Sequence, residues 1–532
     1  MLPLMAWGTS GHWAERPSGD PSRLEAWCYT DRFSYQPGDR VEVHVHTTAP
    51  TYSLTVIRDG ADPEVVWSRS GLPGRAYETP LDAYAVGCRW PVGEVLEIDR
   101  AWPSGFYLLV IRIERGGQTW EREHFFVVRA AHPGGDTPLV LVLTTSTLLS
   151  YNDWGGANGY WGLGEDPQTD DVGSRFQAVQ RPISRGMLRK PVGAPRKGHG
   201  AAPAAFWIPR YEDYEWARYN GYSLHHASTF WATYERPFAV WAARHGYRLD
   251  YLTQHDLHQE PGVLSPYRCA VIVGHDEYWS WQMRDEVDRF VDAGGHVARF
   301  AGNFGHQVRL EQDGAVQIAR WGPHDPLWGT DRRHLAAALW ELPEIGRPGA
   351  LTMGLNALGG IYTRYGVACP RAAGGYTIYR PRHWALAGTD LYYGVLVGGS
   401  PAYIASYEVD GVNYTFRKGL PYPTCDDGAP ASLEIIGMCP AVTYEEDRFQ
   451  GTIPLGDPPG SLSGLPDLPD ELRSEYDADG RRPRYGSGMM ATFTRGRGAV
   501  FNAGASQWVA GLIHGDWFVE RITQNVLDQF SH

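Results

Sequence analysis

An uninterrupted apolar run at residues 269–274 constrains the fold of this chain more than any other feature. The run reads CAVIVG without polar alternation, so a strand formed there is covered on both faces. Ser280 predicts the N-cap of a helix, Gly294 predicts its end, and residues 296–301 predict a second strand. The apolar residues that would form one face of that helix are Met283, Val287, Phe290 and Val291. The stretch therefore predicts a βαβ unit.

Other segments extend this unit into a parallel sheet. Residues 138–143, 248–253 and 498–504 have strand patterns, and residues 236–245 and 518–527 have helical ones. Strands that alternate with helices are typical of a three-layer α/β domain.

The N-terminal part of the chain has a different pattern. Residues 41–46 and 54–57 alternate polar and apolar side chains, and turn signals such as Gly38-Asp39 separate the short runs. This spacing predicts an immunoglobulin-like β-sandwich that acts as a packing or assembly module. The predicted divisions are an extension at 1–23, the sandwich at 24–130, the α/β domain at 137–303 with 486–530, and at 304–485 a Gly-, Pro- and aromatic-rich β insertion that covers the site.

Composition excludes several classes of function. The formal net charge of −13 argues against nucleic acid or an anionic membrane as a partner. The N-terminus lacks a basic segment followed by an apolar one, and no apolar run approaches the roughly 18 residues of a membrane span, so we expect a cytoplasmic protein. The six cysteines are scattered without C-x-x-C spacing, which predicts buried hydrophobic residues instead of a zinc site or a disulfide framework.

Polar residues follow the predicted strands. The carboxyl ends of parallel strands meet at one edge of a sheet, where ligands bind, so we expect these side chains to share that edge. They are Tyr151, His255, Asp256, His258, His275, Glu277 and Asn303.

Each of these residues also has a structural interpretation. For residues 255–258 a capped loop is favoured over a zinc site, whereas His275 beside Glu277 at a strand end favours function. Tyr151 fits ring packing equally well, and Asn303 fits a turn residue in left-handed backbone.

Several motifs together resemble the large (beta) subunit of N,N-dimethylformamidase, in its C-terminal region. They are residues 151–156 (YNDWGG), the segment 241–258, residues 274–280 (GHDEYWS), the pair at 302–303, and residues 407–411 (YEVDG). The motif at 274–280 is the most specific of them. The resemblance implies a fold related to class I glutamine amidotransferases, hence flavodoxin-like.

The resemblance also implies a mononuclear, ferric iron site held by two tyrosines and one glutamate. Tyr151 and Glu277 match two of these ligands, and the second tyrosine falls among Tyr160, Tyr219 and Tyr222. That family works with a small subunit, so a partner subunit and a homo-oligomer both stay open.

The supporting polar residues implied by the resemblance are His275, Asn303 and Glu408. Phenolate and carboxylate oxygens suit ferric iron, and a bound metal polarises a carbonyl and lowers the pKa of a bound water that attacks it. We therefore expect hydrolysis of a C–N amide bond, with His275 or Glu408 moving protons and Asn303 donating to the oxyanion.

Two alternatives remain open. One is different chemistry on the same metal site, as in specialised metabolism, and the other is a non-catalytic carbohydrate-binding protein. A covalent route through cysteine is disfavoured, because Cys269 begins its predicted strand and a nucleophile is expected on a sharp turn after one.

Overall fold

The computed structural model describes residues 14–164, 172–197, 212–362, 374–441 and 486–532. It is a mixed α/β protein with several sheets and few helices.

The N-terminal region consists of two β-sheets that share one apolar core. Its elements are β1 Ala26–Thr30, β2 Ser34–Tyr35, β3 Arg40–Thr47, β4 Thr51–Asp59, β5 Glu64–Pro73, α1 Ala83–Val86, β6 Val92–Glu97, β7 Gly105–Arg115 and β8 Gln118–Val128. The strand orders are β1-β3-β6 and β2-β8-β7-β4-β5. Val43 from the first sheet and Val56 and Ile111 from the second lie in the same buried cluster. The predicted alternation in β3 and β4 is thus the alternation between core and surface.

The middle of the chain alternates strands and helices. Its elements are β9 Leu139–Leu143, α2 Thr145–Tyr151, β10 Phe176–Ala178, α3 Glu212–Asn220, α4 Glu235–Arg244, β11 Asp250–Thr253, α5 Gln254–Gln259, β12 Cys269–His275, β13 Tyr278–Ser280, α6 Trp281–Asp292, β14 His296–Gly302, β15 His306–Glu311 and β16 Val316–Ile318.

The remaining elements are mostly short strands. They are α7 Ala350–Met353, β17 Asn356–Tyr362, β18 Tyr376–Ile378, β19 Leu396–Val397, β20 Glu408–Gly411, β21 Tyr414–Arg417, β22 Leu420–Pro423, β23 Glu434–Ala441, β24 Gly486–Arg495, β25 Gly498–Asn502, α8 Trp508–Ile513 and α9 Trp517–Ser531. Single 3₁₀ turns lie at Gly322–His324, Arg333–Leu335 and Trp384–Leu386.

A nine-stranded sheet organises the second half of the protein, with the order β11-β9-β12-β14-β25-β24-β23-β18-β19. The first five of these strands are parallel, and the last four pair in antiparallel fashion. Val271 and Val273 of β12 lie in one buried cluster, whereas Ala270 and Ile272 lie in the other. Both faces of the sheet are covered, as the uninterrupted apolar run predicts.

Helices pack on the two faces of this sheet. Phe238 of α4, Trp508 of α8 and Val519 of α9 belong to one cluster, and Met283 and Val287 of α6 belong to the opposite one. The predicted strands and the three predicted helices are confirmed, each to within a few residues at its ends.

The strands β18, β19 and β23, from the predicted insertion, extend the nine-stranded sheet. Smaller sheets have the orders β10-β16-β15-β13, β17-β20 and β21-β22. The boundaries assigned to the extension, sandwich, α/β domain and insertion remain predictions.

The helix α6 begins as its sequence predicts. The Ser280 hydroxyl accepts a hydrogen bond from the Met283 amide at 3.2 Å, which satisfies one of the free N–H groups of the first turn. Val287, Phe290 and Val291 lie on its buried face.

Gly274 allows the backbone to turn at the end of β12. Its φ is +87°, and a Cβ built there would lie 2.3 Å from both Cβ and Cγ of Tyr234. Gly262 has a similar φ of +92° with open space around it. A side chain at position 274 would thus meet both left-handed backbone and a clash with Tyr234. A side chain at position 262 would meet left-handed backbone alone.

We expect Gly274→Ala to lower the free energy of unfolding clearly more than Gly262→Ala. Left-handed backbone costs an L-residue about 1–2 kcal/mol, and overpacking a buried site typically adds about 1–3 kcal/mol. Denaturant unfolding of the two variants measures the difference. An equal loss would contradict the steric role given to Tyr234.

Candidate functional site

The first part of the site follows β9 directly. The buried helix α2 ends at Tyr151, and the loop after it carries Tyr160. Asn158 connects the two segments, because its Nδ2 donates to the Tyr151 carbonyl at 3.1 Å and its Oδ1 accepts from the Tyr160 amide at 2.8 Å. This amide side chain, together with the hydrogen bond from the Gly159 amide to the Ser150 carbonyl at 2.8 Å, holds the two tyrosines at a fixed spacing.

The second part follows β12. His275 is the last residue of that strand, and Glu277 lies between β12 and β13. The His275 Nδ1 lies 2.8 Å from the Ser228 carbonyl, so Nδ1 carries a proton and donates it. The Glu277 carbonyl accepts from the His306 amide at 2.9 Å, which holds the turn in place.

Three oxygen-bearing side chains converge at this edge of the sheet. The Tyr151 hydroxyl lies 2.9 Å from Glu277 Oε2, and the Tyr160 hydroxyl lies 2.9 and 2.8 Å from Oε1 and Oε2 of the same carboxylate. The two hydroxyls are 2.9 Å apart. We call Tyr151, Tyr160 and Glu277 the oxygen cluster.

A second polar group adjoins the oxygen cluster. The His275 Nε2 lies 2.9 Å from Glu408 Oε2 and 3.3 Å from Glu277 Oε2. It also lies 3.2 Å from the Asn303 side-chain amide, and Asn303 has left-handed backbone with a φ of 64°. Glu408 is buried, with 2% of its surface exposed, so this part of the predicted insertion does reach the site.

A buried ionic triad holds together the segments that carry these residues. Arg299 of β14 pairs with Asp276 through Nη2, and with Asp410 through Nη1 at 2.5 Å. All three side chains are inaccessible to solvent. Asp276 lies between His275 and Glu277 in sequence, and Asp410 follows Glu408 by two positions, so the guanidinium anchors both carboxylate-bearing segments.

Charge and burial set the protonation of the site. Burial alone would lower the pKa of His275, but the Glu408 and Glu277 carboxylates raise it well above its usual value. For Glu277, burial would raise the pKa, but the hydrogen bond from His275 and its positive charge lower the pKa. Burial first, and then the Glu277 charge, raise the pKa of Tyr151 and Tyr160 well above 10. A carboxylate therefore faces two phenols and an imidazolium.

The other tyrosines that the sequence left open lie elsewhere. Tyr219 is 75% exposed on α3, and the Tyr222 ring packs against Trp216 and the Arg185 guanidinium. Neither contacts Glu277 in the described residues.

His255, Asp256 and His258 form a capped helix start and its contacts, in line with the capped-loop interpretation. Asp256 forms a capping box with Thr253 at the start of α5. His255 Nδ1 lies 2.8 Å from Thr145 Oγ1, and His258 Nδ1 lies 2.8 Å from Ser280 Oγ. They lie outside the oxygen cluster.

Three residues of the site escaped sequence reasoning. The Tyr278 hydroxyl is 2.7 Å from that of Tyr160, His306 Nε2 is 3.6 Å from Glu277 Oε1, and the Arg320 guanidinium lies 4.0 Å from the Tyr160 ring centre. Tyr278 adjoins Glu277 in sequence, and His306 closely follows the predicted strand at 296–301, so both carried a positional signal. Arg320 carried none.

The donor set of the oxygen cluster fits a small, hard cation. Neighbouring oxygens 2.8–2.9 Å apart match adjacent ligands around a cation with metal–oxygen distances of about 2.0–2.1 Å. Phenolate and carboxylate oxygens also suit ferric iron. Among the described residues, no group of three His, Cys, Asp or Glu side chains has a metal-binding arrangement, so the fit depends on the tyrosines.

The nine-stranded sheet and the oxygen cluster define a mixed α/β protein with a buried tyrosine–carboxylate site beyond its parallel strands. The chain matches the family described as N,N-dimethylformamidase beta subunit-like, C-terminal, over residues 53–520. It belongs to that family.

No curated protein matches the chain. One solved structure, a family 123 glycoside hydrolase from Clostridium perfringens, is 7% identical over 52% of this chain and 72% of that one, with a TM-score of 0.10. Within the described ranges, no helix combines the length and apolar character needed to cross a membrane.

We expect Arg299→Met to lower the free energy of unfolding by about 3–5 kcal/mol, because it leaves Asp276 and Asp410 buried without their counter-ion. The matched control is Arg112→Met. That guanidinium is 49% exposed and pairs with Glu114, whose side chain is 62% exposed, so its loss should cost far less. Urea unfolding compares the two variants, and similar losses would rule out the anchoring role of Arg299.

Proposed function

We propose that this protein is a metal-dependent hydrolase of a C–N amide bond in a small molecule, like the N,N-dimethylformamidases for which its family is named. One observation carries the proposal, namely the convergence of Tyr151, Tyr160 and Glu277 to within hydrogen-bond distance of one another. Membership of the family supports the reaction class.

In this proposal Tyr151, Tyr160 and Glu277 hold a single ferric ion. When bound, the ion supplies Lewis acidity, which polarises an amide carbonyl and acidifies water. A cation at this position would lower the pKa of the two phenols, because it favours their ionised form. Tyr160 is preferred over Tyr219 and Tyr222 because its hydroxyl alone of the three contacts the carboxylate.

The second polar group would manage the protons of amide cleavage. His275 holds a proton at Nε2 between two carboxylates and can pass it to the departing amine nitrogen. Glu408, 2.9 Å from that nitrogen, can accept a proton from water and return it to the ring. Asn303, whose amide lies 3.2 Å from the His275 Nε2, would donate a hydrogen bond to the developing oxyanion.

The two regions of the fold correspond to two known architectures. We infer that the N-terminal pair of sheets is an immunoglobulin-like sandwich and that the parallel strands form a flavodoxin-like domain. The shared core supports the first, and the spatial order 2-1-3-4-5 of the parallel strands, counted along the chain, supports the second.

We expect the purified protein to bind about one iron per chain and to absorb visible light through phenolate-to-iron charge transfer. Tyr151→Phe, Tyr160→Phe and Glu277→Gln should each lower the iron content and weaken or shift the band, because each removes one hard oxygen ligand. Elemental analysis and absorption spectra measure both effects. Tyr219→Phe is the matched control, since it removes an exposed hydroxyl.

An assay of small-amide hydrolysis, in which the released amine is measured, tests the reaction itself. Iron with no amide cleavage would favour different chemistry on the same site. Protein that neither contains nor takes up iron would overturn the metal-dependent mechanism.

We expect Glu408→Gln to keep iron and the visible band but to lower kcat about 10²–10⁴-fold, because a general base is lost and the oxygen cluster is intact. Steady-state kinetics with parallel iron analysis makes the distinction. A variant that loses iron together with activity would show that Glu408 serves metal binding instead.

A further inference from the structure

A second concave site lies far from the oxygen cluster. A cleft of about 580 Å³ opens between the N-terminal sheets and the edge of the nine-stranded sheet. We call it the junction cleft. The lining residues that matter here are Arg58, Arg100, Trp102, His132, Tyr247 and Arg248. Its volume falls within the range of about 300–1,000 Å³ that is usual for small-molecule sites.

The junction cleft and the candidate site lie at opposite edges of the sheet. Thr137 and Asp250, at the amino ends of β9 and β11, line the cleft, whereas Tyr151 and Glu277 lie beyond the carboxyl ends of β9 and β12. Strands of five residues at about 3.3 Å per residue separate these edges by roughly 16 Å. A molecule in the cleft is therefore distinct from a substrate at the oxygen cluster.

The cleft concentrates positive charge in an acidic protein. The chain carries a net charge of −13, yet Arg58, Arg100 and Arg248 all line this cleft. Among the described residues, none of the three forms an ion pair or a side-chain hydrogen bond, so their guanidinium groups are available to a ligand. Free guanidinium forks match the oxygens of phosphate and carboxylate groups.

Two carboxylates, Asp136 and Asp250, also line the cleft. Asp250 is buried, with 6% of its surface exposed. Asp136 is exposed. The three guanidinium groups therefore outnumber the one accessible carboxylate.

Aromatic rings flank the charged groups. Trp102 is half-buried and stacks on Tyr107 with ring centres 5.3 Å apart, which fixes the indole plane. Tyr247 is also half-buried, and its hydroxyl donates to Asp528 at 2.7 Å. Fixed rings present flat faces to a planar group at little entropic cost.

We propose that the junction cleft binds a small organic phosphate that carries an aromatic ring, of the nucleoside monophosphate type. The arginines hold the phosphate, and the rings hold the base. This site is independent of the metal site and of the reaction proposed for it.

Isothermal titration of the full chain with AMP, inorganic phosphate and adenosine tests the proposal. AMP should saturate one site per chain and bind more tightly than phosphate or adenosine alone. Phosphate can contact only the arginines, and adenosine only the aromatic rings. Arg58→Gln and Arg248→Gln should each weaken AMP binding about tenfold, since each removes a charged hydrogen-bond donor.

Arg382→Gln is the matched control, because Arg382 is exposed and lies outside the cleft, and it should leave the affinity unchanged. Thermal melting of each variant checks that the fold is intact, and Arg100→Gln gives a third, exposed test position. The proposal is overturned if AMP does not saturate, if phosphate binds as tightly as AMP, or if the cleft variants bind AMP like the control.

Discussion

One buried guanidinium, that of Arg299, connects the two segments from which the candidate site is built. Its donors reach Asp276 beside β12 and Asp410 in β20, and Nη1 also lies 2.9 Å from the Asn502 side chain in β25. Because a buried charge without its partners is costly, packing that closes this network is favoured over packing that leaves it open. The positions of Glu277 and Glu408 follow from that requirement.

The central sheet was predictable because its strands carry a strong local signal. The runs that became β9 and β12 are apolar on both faces, and their buried residues alternate between two cores. His275 and Glu277 were predictable for the same reason, since they follow a strand end in a parallel sheet. Local pattern and tertiary position agree at these residues.

The rest of the site depends on contacts that sequence pattern does not encode. Tyr160, Tyr219 and Tyr222 are equivalent in the sequence, and only the packing of the loop after α2 brings Tyr160 to Glu277. Glu408 is buried because β20 pairs with β17 and its carbonyl accepts from the Ser506 amide, a partner 98 positions away in the chain. Arg320 is distant from Tyr160 in the chain, and tertiary packing brings its guanidinium over the Tyr160 ring.

Asn158 joins the two tyrosines of the oxygen cluster into one unit of the chain. Because one side chain bonds the backbone at both Tyr151 and Tyr160, the two phenols belong to a self-braced segment of ten residues. This segment supplies both phenols as one unit, and the neighbouring strand supplies the carboxylate. A change in the length of chain between Tyr151 and Tyr160 would therefore displace both hydroxyls relative to Glu277 at once.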